Sequence, residues 1–203
     1  MQYRTLGTTG IQVSSLALGA MNFGSIGRTT QDEVTAIFDA ALEAGINLID
    51  TADVYSGGES EEMVGKAVAG RRDQVVLATK AGPPMGDGLG RQGSSRRWLV
   101  TALDESLRRL GVDHIDLYQI HRWDPRTGDE ETLSPLTDLQ RAGKIGSFGT
   151  MEHLHSQVAA ADTVLSTDVL DAIDAIVTPG TDLAPAEKNY TPPAVTDPSL
   201  RRR

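Results

Sequence analysis

Cysteine is absent from this 203-residue sequence, so neither a disulfide nor a thiolate metal site can form, as expected for a reducing compartment. Long apolar runs are missing too. The longest, such as residues 16–21, fall far short of the roughly 20 residues needed to cross a bilayer. The opening Met1-Gln2-Tyr3-Arg4 lacks the basic-then-apolar plan of a signal peptide. A cytoplasmic protein without membrane association is expected. Positive charge is in deficit: 19 Lys and Arg stand against 28 Asp and Glu, and the net charge of -9 opposes binding to nucleic-acid phosphates or anionic lipid. What is present, 39% hydrophobic and 23% charged residues, suits one soluble domain with a sizeable core.

The chain opens with two short apolar-polar stretches, Tyr3 to Leu6 and Ile11 to Val13, separated by Gly7-Thr8-Thr9-Gly10, which predicts a hairpin. A rhythm of strand and helix follows. Leu16-Ala17-Leu18-Gly19 reads as a buried strand, and Thr30-Gln31-Asp32-Glu33 forms a capping box before Val34, Ile37, Phe38, Ala41 and Leu42 at helical spacing, ended by Gly45. Asn47-Leu48-Ile49-Asp50 is the second strand, and Ser56-Gly57-Gly58-Glu59 reads as a second capping box. Further strands are predicted from Val75 to Thr79, Ile115 to Ile120 and Ile145 to Phe148. Between them lie helices bearing Leu99, Leu103, Leu107 and Leu110, then Leu133, Leu136 and Leu139, closed by Gly111 and Gly143. Such alternation predicts an α/β fold with a parallel sheet, either doubly wound or a barrel, and periodicity does not choose between them.

Asp50, Tyr55, Lys80 and His121 stand at or just after the C-terminal ends of these strands, where a parallel β/α fold builds its active site. Their types suit one reaction. A phenol ionises near pH 10 in water, so a tyrosine exchanges protons at neutral pH only beside a cation and hydrogen bonds that stabilise its anion. Lys80 supplies the cation, Asp50 holds it, and His121 can orient a carbonyl oxygen next to the hydroxyl. This is a set for carbonyl reduction, with hydride from a cofactor and the proton from Tyr55.

At this point the sequence resembles a known family. The stretch from Gly45 through Asn47, Asp50, Thr51, Ala52, Asp53 and Tyr55, continued by Ser60-Glu61-Glu62-Met63-Val64-Gly65, is similar to the aldo-keto reductase signature. So are Ala78-Thr79-Lys80, Leu117-Tyr118-Gln119-Ile120-His121, Arg4-Thr5-Leu6-Gly7 and the segment from Leu18 to Gly24. The likeness covers the first three-quarters of the chain. It implies a (β/α)8 TIM-type barrel that uses NADPH without a Rossmann domain and reduces aldehydes and ketones through Asp50, Tyr55, Lys80 and His121. It also implies that Asp50 and Met21 lie near the nicotinamide, that Met21, Asn22 and Phe23 line the substrate pocket, and that Trp123 stands at its mouth.

Departures from the family begin at the fifth strand. A Gly-x-Ser-Asn-like segment that would hold the nicotinamide carboxamide is replaced by Gly146-Ser147-Phe148-Gly149. The strands that would supply a glutamine, a ring stacked on the nicotinamide and a cluster around the 2′-phosphate are not recognisable, and the text passes directly to residues 168–177, which resemble the family's last helix. The expected organisation is therefore an incomplete barrel of about five βα units over residues 1–150, a connecting segment with a C-terminal helix over 151–178, and a polar tail over 179–203 that holds five of the nine prolines. Weakened NADPH binding and self-association through an open sheet edge follow as expectations.

Other residues have plainer readings. Glu59, Glu61 and Glu62 read as a helix N-terminus favoured by its dipole, Trp98 as a packing residue, His114 as a connector, and Gly57 and Gly58 as lacking a dinucleotide fingerprint. His153 and His155 lack a third ligand, so no metal site is expected. Two further functional classes compete with the reductase: a non-catalytic interaction or regulatory protein on the same scaffold, and a flavodoxin-like binding module, which gives no reason for the four side chains.

Overall fold

The expected hairpin forms as Tyr3–Thr5 (β1) and Gln12–Ser14 (β2), paired antiparallel with Tyr3 opposite Ser14. It is the first element of a computed structural model that describes residues 1–122 and 124–148, all within one unit, Met1–Thr150. Ser14 N donates to Asn47 Oδ1 at 2.7 Å and Asn47 N donates back to Ser14 Oγ at 3.1 Å, which fixes the hairpin below the second strand of the main sheet.

That sheet contains Ala17–Gly19 (β3), Leu48–Asp50 (β4), Val76–Ala81 (β5), Ile115–Ile120 (β6) and Ile145–Phe148 (β7). All its pairings are parallel, and the spatial order β3-β4-β5-β6-β7 is the chain order. This order resolves the choice left by periodicity. A doubly wound sheet reverses its strand order at a switch point, whereas a barrel adds each strand beside the one before. The helices Gln31–Glu43 (α1), Glu59–Val68 (α2), Arg96–Leu110 (α3) and Asp129–Arg141 (α4) pack each on the next, as the outer layer of such an arc does. Among the described residues the arc has five strands, which is the incomplete barrel expected.

The core fills the space between helices and sheet. Phe38, Ile49, Leu77, Trp98, Leu99, Leu103, Leu110 and Tyr118 are all buried there, and each fully buried leucine contributes roughly 1.5–3 kcal/mol. The α2–α3 contact depends on Gly65, where a Cβ would overlap the Leu110 backbone. The Thr30 capping box forms as read: Glu33 N donates to Thr30 Oγ1, and Thr30 N donates to Glu33 Oε2.

Two readings are corrected. Strand β3 is not buried: Ala17 and Gly19 are exposed and Leu16 is 60% exposed, because β3 has only β4 beside it among the described residues. The second capping box does not form either. A 3-10 turn, Tyr55–Gly58, precedes α2, Gly58 occupies the cap position without a side-chain bond, and the side chains of Ser56 and Glu59 bond elsewhere. The expected connecting segment, last helix and tail lie outside the described residues.

Candidate active site

Strand alternation sends Asp50, Lys80, Gln119 and His121 to one side of the sheet and Ile49, Thr79 and Tyr118 to the helix side. Register then brings the first group together: Lys80 pairs with Gln119, Asp50 pairs with Ala78 two residues before Lys80, and both Thr51 N→Ala78 O and Asp53 N→Lys80 O carry the pairing beyond β4. The following turn is tight because Ser56, Gly57 and Gly58 all have positive φ, and it folds Tyr55 back over the sheet end.

Lys80 Nζ is the hub. It donates to Asp50 Oδ2 at 2.6 Å, to Thr51 O at 2.9 Å and to the Tyr55 hydroxyl at 3.3 Å. The Asp50–Lys80 ion pair is largely shielded, its side chains being 31% and 14% exposed. On the other side of Tyr55 the His121 ring stands edge-on, with ring centroids 5.6 Å apart and planes at 89°. Burial, followed by the charges of Lys80 and Arg122, holds the His121 imidazole below its ordinary pKa, against the pull of Asp50. A neutral ring has one donor and one acceptor nitrogen. Its Nδ1 is buried without a partner among the described residues.

Gln119, which the quoted motifs contain without giving it a role, belongs to this arrangement. Gln119 donates from Nε2 to Asp50 Oδ1 at 3.1 Å, so both carboxylate oxygens are held. The strand period marks it in the sequence, since it lies two residues before His121 and must share its face. Near Glu61 and Arg109, Asp53 is fully buried, and neither of its carboxylate oxygens has a partner among the described residues. Burial raises its pKa to about 7, helped by repulsion from Glu61 and opposed by Arg109. Nothing in the sequence marks Asp53 as buried.

Behind the site, on the helix side, Glu61 stands in the first turn of α2 as read, and its surroundings add to that reading. It is fully buried and accepts from Thr79 Oγ1 and from Arg109 Nε, each at 2.6 Å. Thr79 precedes Lys80, so this cluster pins β5 to α2 and α3. Trp98 packs in the core as expected.

The residues expected around cofactor and substrate divide. Met21 is 43% exposed at the start of the β3–α1 loop, whereas Phe23 is buried at 4% within the core. Trp123 lies outside the described residues. Among the described residues no group of three His, Asp or Glu side chains is arranged to hold a metal ion. A groove of about 480 Å³ between α2 and α3, lined by Lys66, Arg72 and Arg108, contains none of the four clustered side chains.

Parallel strands in chain order with this group at their C-terminal ends define a TIM-type (β/α)-barrel protein, of which the described residues form five strands. The profile described as "Aldo/keto reductase family" matches residues 15–176, and the chain belongs to that family of oxidoreductases. It is 42% identical over 153 residues to the aldo-keto reductase YhdN of Bacillus subtilis, a match covering 73% of this chain and 46% of that protein. It is 37% identical over 174 residues to the 6-dehydroglucose reductase of Novosphingobium aromaticivorans, covering 80% and 55%. Among solved structures, the holo form of aldo-keto reductase AKR11C1 from Bacillus halodurans superposes with a TM-score of 0.67 at 39% identity, covering 73% of this chain and 49% of that one. The chain thus spans about half the length of the relatives it matches.

Proposed function

We propose that this chain is an NADPH-dependent carbonyl reductase acting on small aldehydes or ketones in the cytoplasm, with Tyr55 as proton donor. The observation that carries the reading is Lys80 Nζ, held by Asp50 at 2.6 Å and lying 3.3 Å from the Tyr55 hydroxyl. When bound, NADPH supplies the hydride that forms the new C–H bond. Tyr55 gives its hydroxyl proton to the carbonyl oxygen, and the Lys80 ammonium stabilises the phenolate left behind until solvent returns a proton. Asp50 and Gln119 keep that ammonium in place. His121, favoured in its neutral form, offers a ring N–H to the same oxygen. The 31% exposed Asp50 side chain and the exposed Met21 suit the nicotinamide end of the cofactor, whereas the pocket role expected of Phe23 fits poorly with its burial and that of Trp123 rests on the resemblance alone.

Two further properties belong to this reading. NADPH binding is weakened, because the recognisable carboxamide and 2′-phosphate residues are missing from the sequence. The chain associates with itself through an open sheet edge, which β3 and β7 form among the described residues. The reading is tested by following NADPH absorbance with an aromatic aldehyde such as benzaldehyde: aldehyde-dependent oxidation supports it, and none at millimolar cofactor and substrate contradicts it.

A further inference from the structure

The loop of residues 20–30 joins β3 to α1. It leaves the sheet beside the candidate site, because Ala20 N donates to Asp50 O at 2.9 Å. A series of hydrogen bonds then ties this loop to the turn that carries Tyr55. Ser56 Oγ donates to Phe23 O at 2.8 Å and accepts from Ile26 N at 3.1 Å. Glu59 Oε2 accepts from Ser25 N at 2.8 Å, and Ser60 Oγ donates to Ala20 O at 2.7 Å.

Every one of these bonds ends on loop backbone, so together they fix the path of the loop. They also explain why the Ser56 to Glu59 stretch carries the spacing of a capping box without forming one: both side chains are engaged by a segment some 30 residues away in sequence. Ser56 accepts a backbone cost for this, with φ at 50° in the left-handed region that residues bearing a Cβ rarely adopt. On the loop side, Gly24 at φ 89° leaves the space that the Glu59 carboxylate fills, since a Cβ there would come within 2.7 Å of Oε2.

The geometry points to Ser56 and Glu59 as positioning residues that clasp the β3–α1 loop to the turn bearing Tyr55, and so set how tightly an aldehyde or ketone seats beside the hydroxyl. Barrel sites of this type are walled by βα loops at the C-terminal end of the strands, and the 20–30 loop starts there, at Asp50. A loop that is clasped only part of the time presents its binding-competent form only part of the time. Apparent affinity then falls by that fraction, while the chemistry of the seated complex is unchanged. This inference rests on the reductase reading above for its effect on substrate, and on the loop geometry alone for the clasp.

The test uses the full chain and four variants, Ser56→Ala, Ser56→Gly, Glu59→Ala and Glu59→Gln. Amide hydrogen exchange is resolved by NMR at Ser25 and Ile26, with Leu77 in the core as the control for global stability. Exchange at Ile26 should accelerate in both Ser56 variants, and at Ser25 in Glu59→Ala, by roughly fivefold or more, the size of one net hydrogen bond. Glu59→Gln should stay close to the parent, because its amide oxygen still accepts. With benzaldehyde and NADPH, KM should rise roughly 3- to 10-fold in the three disrupting variants, with kcat within about twofold.

Unchanged exchange overturns the clasp, whatever the activity. Protection retained in Ser56→Gly overturns the role of the hydroxyl. Faster exchange with KM unmoved, or with the loss falling on kcat, overturns the positioning role. A parent chain that reduces no aldehyde refutes the proposed function and the KM effect with it, while exchange still decides the clasp.

Discussion

The side-chain amide of Gln119 donates to Oδ1 of Asp50 at 3.1 Å, on the oxygen opposite the one that meets Lys80. Asp50 is thereby held at both ends, and Lys80 inherits its aim from a carboxylate that cannot swing. Replacing Gln119 by leucine keeps the shape and removes the bond. We expect kcat/KM for an aldehyde to fall roughly tenfold, the loss of one hydrogen bond to a charged group. Steady-state kinetics with a thermal melt as control checks this. An unaltered kcat/KM would remove Gln119 from the arrangement.

Asp53 should make stability depend on pH. Its carboxyl is raised from 3.8 to about 7 in the folded chain, where burial dominates, Glu61 adds repulsion and Arg109 offsets part of it. The folded state therefore binds more protons than the unfolded one between those values. The stabilisation is full below about pH 4 and is lost as pH rises through 7. Asp53→Asn, which cannot ionise, should gain on the parent by on the order of 2–4 kcal/mol at pH 8 relative to pH 5. Melting curves of the two chains that run parallel from pH 5 to pH 8 would contradict this.

Most of the architecture was legible because it is written locally. Strand ends, the Thr30 cap and the leucines at 99, 103 and 110 depend on residues within a turn or two of each other, and they appear where the pattern places them. What escaped depends on distant partners. The Ser56 and Glu59 spacing reads like that of Thr30 and Glu33, yet the 20–30 loop competes for those side chains. Glu61 reads as a helix N-terminal charge, and its burial depends on Thr79 and Arg109, 18 and 48 residues away. Local pattern also predicted a buried β3, and the burial of a strand is set by its neighbours. In the site itself, four residue types at strand ends carried the chemistry, while the burial of Asp53 near Glu61 and Arg109 needed a view of its surroundings.

The exposed edge has a measurable consequence. Among the described residues β3 has one neighbour and Leu16 beside it is 60% exposed, and a strand edge of this kind is a template for pairing with another chain. Sedimentation velocity should find dimers or larger species at micromolar concentration, and Leu16→Lys should shift the population toward monomer. A parent chain that stays monomeric at all concentrations would refute this.

Cofactor affinity is expected to be low. Contacts to a charged phosphate contribute roughly 1.5–3 kcal/mol each, so two or three fewer of them weaken binding by several powers of ten. A fluorescence titration should find NADPH dissociating in the high micromolar range or weaker. Affinity in the low micromolar range would mean that residues elsewhere in the chain bind the phosphate.

The most direct measurement is aldehyde-dependent oxidation of NADPH by the parent chain and by Tyr55→Phe. This change removes only the hydroxyl that lies 3.3 Å from Lys80 Nζ. The account predicts a loss of roughly 10²- to 10⁴-fold in turnover, the usual contribution of a positioned general acid, with NADPH affinity little changed. Turnover equal to the parent's would contradict the assignment of Tyr55 as proton donor, and with it the reductase mechanism built on Asp50, Lys80 and His121.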